Sequence, residues 1–249
     1  MRLLIASIPR CGSTMLLRAI GGFPPGEYTP RNRHCATITD FEYIPDVPFL
    51  KTHLPAPEYL PGDIKTIFLF GDPIIAVAST LQKRFGWQHF RNLGYTSNKI
   101  PDIINRDDLG YENVYKTWAK RHKYPVLSIK YEYIWDFQKI IELYIGRRII
   151  LPVKRKRTTR IDKKLFYKLS VTYKNLGEEI KSAPSIMLNT NNGTILSGLD
   201  DIKRYLNRSN IIPILPKCSN KRTLILILQH YLSFLKLNSL YFKILKYFK

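Results

Sequence analysis

Residues 1–20, MRLLIASIPRCGSTMLLRAI, decide the fold. Residues 3–7 form a short, mostly apolar run of the kind a buried parallel strand shows. Pro9-Arg10-Cys11-Gly12-Ser13-Thr14 interrupts the run, and residues 15–20 resume with helical character. A strand that halts at a small-residue turn and restarts as a helix leaves several backbone N–H groups pointing one way. They lie at the positive end of the helix dipole and make a ready anion site. Arg10 adds a fixed positive charge, while Ser13 and Thr14 add hydroxyl donors. The same residues would also make an ordinary strand-to-helix turn with an arginine on it, so the decision falls to partners further along.

Two well-known phosphate loops do not fit the turn. The spacing GxxxxGK[ST] of a nucleoside-triphosphatase loop is absent, because no lysine precedes Ser13 and the loop is shorter. Cys-x5-Arg, the spacing of a phosphatase loop, is absent too, so Cys11 reads as a small filler and not as a nucleophile.

At 249 residues the chain suits one α/β domain with additions, and its 45% hydrophobic content argues against wholesale disorder. The charge is less ordinary: 40 Lys and Arg against 19 Asp and Glu leave a net +21. That balance points to polyanionic partners such as nucleotides, acidic glycans, nucleic acid or an anionic membrane surface. Three widely spaced cysteines, Cys11, Cys35 and Cys218, show no metal-ligand spacing and no disulfide framework, which fits a reducing compartment. The chain opens on a core strand with no room for a signal peptide or anchor, so a soluble cytoplasmic protein is expected.

Residues 21–33 read as a Gly- and Pro-rich loop, and residues 32–46 as irregular, with His34 in a polar setting. Residues 49–61, FLKTHLPAPEYLP, carry the next signal. Phe49-Leu50 ends a short strand, Lys51-Thr52-His53 sits where the chain leaves the sheet, and prolines at 55, 57 and 61 force a non-helical exit. Open α/β sheets bind ligands at the carboxyl ends of their strands. Lys51 and His53, two apart on an extended segment, reach one bound group only if the backbone turns there. Residues 65–70 (KTIFLF) form a buried strand, and Gly71-Asp72-Pro73 leads into a helix over 74–84, capped by Asp72 and carrying Ser79 two turns in. Residues 111–122 read as a helix with Val114, Tyr115 and Trp118 on its apolar face, 124–131 as a strand, and 135–144 as a helix. A further helix is expected over 165–180, then a polar stretch without clear period over 182–220. Residues 222–249 read as a basic amphipathic helix, too short in its apolar run to span a bilayer. It would pack on the domain or lie on an anionic membrane surface.

Taken together, these segments resemble the sulfotransferases. The first turn is similar to their 5′-phosphosulfate loop, Pro-Lys/Arg-Ser-Gly-Thr/Ser-Thr, with Cys11 in place of the usual serine. Lys51-Thr52-His53-Leu54-Pro55 reproduces the Lys-Thr-His-Leu-Pro segment of the cytosolic members. Asp72, Pro73 and Ser79 match the spacing of the family's Arg-(Asn/Asp)-Pro-x5-Ser segment, which binds the donor's 3′-phosphate, although Gly71 stands where that arginine belongs. Tyr131-Glu132 matches the start of a Tyr-Glu-Asp-Leu segment whose tyrosine lies near the adenine, with Tyr133 at the Asp position. The resemblance covers residues 1–146 and fades afterwards. The family's closing Arg-Lys-Gly clamp has one local candidate, Lys154-Arg155-Lys156-Arg157, which lacks the glycine and otherwise reads as a solvated charge run.

The resemblance implies a three-layer α/β fold with a central parallel sheet flanked by helices, of the P-loop NTPase-like sulfotransferase type. The sulfotransferase-like domain would span residues 1–180 and a divergent basic extension 181–249. It implies transfer of a sulfuryl group from 3′-phosphoadenosine 5′-phosphosulfate (PAPS) to a hydroxyl or amine on a small-molecule or glycan acceptor, with no metal. His53 would be the general base, a task that the unperturbed histidine pKa of about 6.5 suits. Lys51 or Arg10 would neutralise the bridging oxygen. Arg10, Cys11, Gly12, Ser13, Thr14 and Met15 would hold the 5′-phosphate. Ser79, Arg155 and Arg157 would serve the 3′-phosphate, and Tyr131 the adenine. Residues 81–106 would supply acceptor loops that carry no readable code. The alternative is a non-catalytic polyanion-binding protein on a decayed sulfotransferase scaffold, in contact with acidic polymers but reading no specific nucleic acid. A nucleotide kinase is disfavoured by the missing lysine.

Overall fold

The computed structural model describes residues 1–22, 34–82, 87–155 and 159–208, the side chains of residues 87–89 excepted. The expected helix over 222–249, and the candidate residue Arg157, lie outside the described residues. In chain order the elements are β1 (Arg2–Ser7), α1 (Ser13–Gly21), β2 (Cys35–Ile38), β3 (Phe49–Thr52), β4 (Ile64–Phe70), α2 (Pro73–Gln82), α3 (Trp87–Asn92) and α4 (Tyr111–Ala119). There follow β5 (Val126–Lys130), α5 (Gln138–Ile145), α6 (Lys163–Thr172), α7 (Lys174–Ser182), β6 (Ile186–Asn189), β7 (Ile195–Leu196) and α8 (Leu199–Arg208).

Among the described residues seven strands form one sheet in the order β2-β3-β1-β4-β5-β6-β7. The first five run parallel, as the central parallel sheet of the sequence reading requires, while β6 and β7 add an antiparallel edge. β1 and β4 are buried almost end to end, as strands covered on both faces must be. Side chains alternate across a strand, so Phe68 and Phe70 point to one face of β4 and Lys65 to the other. Tyr115 and Trp118 of α4 pack on the phenylalanines, while Lys65 Nζ donates to Tyr144 O of α5 at 2.9 Å. Helices therefore cover both faces, which makes an α/β sandwich of three layers.

Chain direction reverses at β1: β2 and β3 extend the sheet to one side, β4 and β5 to the other. Doubly wound sheets bind ligands beside such a switch point, at the carboxyl ends of the strands. The register Ile5↔Lys51 and Ala6↔Thr52 brings Ser7 level with His53 there.

Several elements differ from the sequence reading. β2 lies within a stretch read as irregular; it is a four-residue edge strand with its two central residues half-exposed, and it leaves almost no period to detect. The single helix expected over 165–180 is two, α6 and α7, meeting at Tyr173. Tyr173 donates its hydroxyl to Ile103 O, which anchors the joint to the loop before α4. Residues 186–208, read as aperiodic, hold β6, β7 and α8. β6 is only four residues long and takes its place by pairing with β5. Asp72 caps α2 as expected, accepting from Ile74 N at 2.8 Å and Ile75 N at 3.2 Å. No helix among the described residues is long and apolar enough to cross a membrane.

Trp118 ties this core to the strand exit. It is 1% exposed, stacks on Phe68 with centroids 6.0 Å apart, and donates Nε1–H to Leu54 O at 2.9 Å, one residue beyond His53. Trp118→Ala is expected to cost about 3–5 kcal/mol of stability. Trp118→Phe, which keeps most of the packing and loses the hydrogen bond, should cost about 1–2 kcal/mol. Guanidinium denaturation of the two variants measures both losses, and near-wild-type stability in Trp118→Ala would contradict this role.

Candidate functional site

The turn after β1 is built by two left-handed residues. Arg10 has φ 67° and Gly12 has φ 81°. Gly12 needs to be glycine twice over: a Cβ there would come within 2.5 Å of the Tyr131 ring, and the backbone is one that side chains rarely adopt. Gly12 is also the N-cap of α1, which starts with neither a side-chain cap nor an acidic residue in its first turn. The positive end of the helix is thus presented to whatever occupies the turn. Cys11 is turned the other way. Its side chain is fully buried and its N–H donates to Ile8 O at 3.3 Å, so it shapes the loop from behind.

Pro9, Arg10, Gly12, Ser13, Thr14, Met15, Lys51, His53 and Tyr131 line one cleft of about 270 Å³. Three separate stretches of sequence, around residues 10, 52 and 131, meet in it. Lys51 Nζ donates to Thr14 Oγ1 at 3.0 Å, so the ammonium is held over the start of α1. Burial is the main cause that lowers the Lys51 pKa to about 8, and the nearby charge of Arg10 lowers it further. An anion placed in the cleft would supply a counter-charge.

His53 is 5% exposed, and its Nδ1 lies 2.9 Å from Ser7 O and 3.1 Å from Ser7 Oγ. A carbonyl oxygen only accepts, so Nδ1 must carry the proton. The neutral ring then has its lone pair on Nε2, the form a general base requires. Ser7 escaped the sequence reading. Its signal was a polar residue closing an otherwise apolar strand.

Arg10 is tied to a different element from Lys51. Its Nε donates to Ser79 Oγ at 3.1 Å, which brings the candidate residue of α2 to the edge of the cleft. At Gly71 the strand end carries no side chain, and the space a Cβ would take is 3.2 Å from Glu132 Oε1. A carboxylate therefore borders the position where the resemblance called for an arginine.

Tyr131 packs edge-on against Trp135, with centroids 5.7 Å apart, and Lys154 Nζ lies 5.5 Å from the Trp135 ring centre. Trp135 Nε1–H in turn donates to Pro152 O at 2.7 Å. Arg155, next to Lys154, is exposed and is not among the residues lining the cleft. The basic segment returns at Arg160, whose carbonyl accepts from Gln82 at the end of α2. Trp135 also escaped the sequence reading, since a tryptophan in a short turn has no pattern to mark it. Among the described residues no group of three His, Cys, Asp or Glu side chains is placed to hold a metal ion.

The cleft should bind a simple dianion in a pH-dependent way. Sulfate does not itself titrate near neutrality, so titration calorimetry with sulfate at constant ionic strength reads the protein alone. Between pH 7 and pH 9 the wild-type affinity should fall about tenfold, as Lys51, with its pKa near 8, loses its proton. Lys51→Met should bind more weakly and without that pH dependence. A flat wild-type profile would place Lys51 out of contact with the anion. Compared with known proteins, the chain matches no family model, no curated sequence and no solved structure.

Proposed function

We propose that this protein transfers a sulfuryl group from PAPS to a hydroxyl or amine acceptor. The observation that carries the reading is the meeting of Lys51 and His53 with the uncapped start of α1 in a single cleft. A site that only attracted anions would gain nothing from a histidine whose proton is held on the far side of the ring.

In this reading the N–H groups of the first turn of α1, with Ser13 and Thr14, hold the 5′-phosphate. The acceptor lies on the His53 side. His53 Nε2 takes the acceptor proton as the acceptor oxygen or nitrogen bonds to sulfur. The bond from sulfur to the 5′-phosphate oxygen breaks in line, and the electron pair goes to that oxygen. Lys51 faces the charge developing there. The products are the sulfated acceptor and adenosine 3′,5′-bisphosphate. As in phosphoryl transfer, rate comes from positioning and fixed positive charge. Tyr131 and Trp135 form an aromatic wall suited to the purine, and the P-loop-like sulfotransferase fold is the architecture this chemistry would use.

One observation favours a second reading. A carboxylate borders Gly71, where a phosphate-binding arginine would be needed, while the chain carries a net charge of +21. Those features suit a polyanion-binding protein on a decayed scaffold, which would bind heparin with strong salt dependence and no nucleotide at all.

The test is incubation with labelled PAPS and pools of phenolic, alcoholic, amine and glycan acceptors, with mass spectrometry to find sulfated product. Wild-type protein should give product. His53→Ala should lower the rate by about 10²–10⁴-fold, since general-base catalysis is of that size, and imidazole should restore part of it. Donor affinity should change little, because the base acts on the acceptor. Full activity in His53→Ala would remove the histidine from the mechanism, and absence of nucleotide binding at millimolar ligand would favour the polyanion reading.

A further inference from the structure

The cleft holds two cations of different design, and their partners diverge. Lys51 is tied to Thr14 at the start of α1, on the same cleft as His53. Arg10 is tied to Ser79 on α2. We propose that Arg10 has left the transferring group to Lys51 and instead holds the 3′-phosphate of the donor together with Ser79, in place of the strand-end arginine that Gly71 lacks. The inference rests on the reading of the protein as a PAPS-dependent sulfotransferase and assigns a role that the family pattern gives to a different position.

Three features converge on this division of labour. First, the strand end at Gly71 has no side chain and is bordered by Glu132, whose carboxylate oxygens would lie 3.2 and 3.4 Å from a Cβ there. A phosphate approaching from that side meets negative charge, so the cation it needs must come from another element. Second, the Arg10 guanidinium already stands against Ser79 Oγ. The serine is one of the residues expected on the 3′-phosphate, and arginine brings to it a planar fork that matches two phosphate oxygens at once, which a lysine does not. Third, Arg10 is the one non-glycine among the described residues with a positive φ. From that backbone its side chain reaches Ser79 on α2. The chemistry at sulfur loses nothing by this, because Lys51 supplies a cation beside His53. The two positive charges then serve the two phosphate-bearing ends of one nucleotide.

Calorimetry with adenosine 3′,5′-bisphosphate and adenosine 5′-monophosphate tests the assignment through the ratio of the two affinities. Wild-type protein should prefer the bisphosphate by about tenfold or more. Arg10→Asn, chosen because asparagine tolerates a left-handed backbone, should bring the ratio to about one. Ser79→Ala, a helix-compatible change, should lower it at least about threefold. Lys51→Met should weaken both nucleotides and leave the ratio standing. A ratio that survives Arg10→Asn or Ser79→Ala, or that disappears in Lys51→Met, would overturn the assignment. Wild-type protein that binds the two nucleotides equally would refute the 3′ role of Arg10 while leaving the 5′ loop intact. Wild-type protein that binds neither would overturn the sulfotransferase reading and the assignment with it.

Discussion

The hydrogen bond from His53 Nδ1 to the carbonyl of Ser7 is the constraint on which the site depends. It joins the ends of β1 and β3, two parallel neighbours whose pairing runs from Leu3↔Phe49 to Ala6↔Thr52. A slip of one residue in that register would turn Lys51 and His53 to the wrong side of the sheet, since side chains alternate with period two. The register is well defended. β1 is central in the sheet and buried along nearly its whole length, so packing on both faces fixes its pairing with β3. The chemistry at the edge of the sheet is thus specified by hydrophobic burial at its centre.

Around that bond the cleft is assembled from backbone more than from side chains. Gly12 accepts the Tyr131 ring where a Cβ would have been, and α1 starts without a cap. The helix end is left as a donor surface, and Thr14 spends its hydroxyl on Lys51. Glu132 follows Tyr131, so the turn after β5 places an aromatic ring against Gly12 and a carboxylate beside Gly71.

What could be read in the sequence was whatever is local. The loop from Pro9 to Thr14, the Lys51-Thr52-His53 exit, the β4 run and the Asp72 cap each declare themselves within about ten residues, and each lies where it was expected. What could not be read is decided across the chain. β2 and β6 are four residues long and owe their existence to the strands beside them. The break between α6 and α7 is set by a tyrosine that reaches back to residue 103. Ser7 acts through its carbonyl as well as its hydroxyl, and a carbonyl belongs to every residue alike. The direction of Arg10 was hidden for a similar reason: a non-glycine residue in the left-handed region has no reliable marker, and only its partner on α2 shows where the charge goes.

The burial of Lys51 has a consequence for the folding of the protein as a whole. Burying an ammonium opposes folding, and the charge of Arg10 adds to that opposition; the pKa of Lys51, lowered to about 8, is the trace of both, burial first. An anion bound in the cleft would offset that cost. Ligand and fold are then coupled: at about a hundred times its dissociation constant a ligand adds roughly 2.7 kcal/mol to stability, a sizeable part of what a domain this size commonly has. The abundance of the folded protein in a cell would then track the supply of whatever anion binds there. A substitution that neutralised either cation would free the protein from that dependence at the expense of the reason for the site.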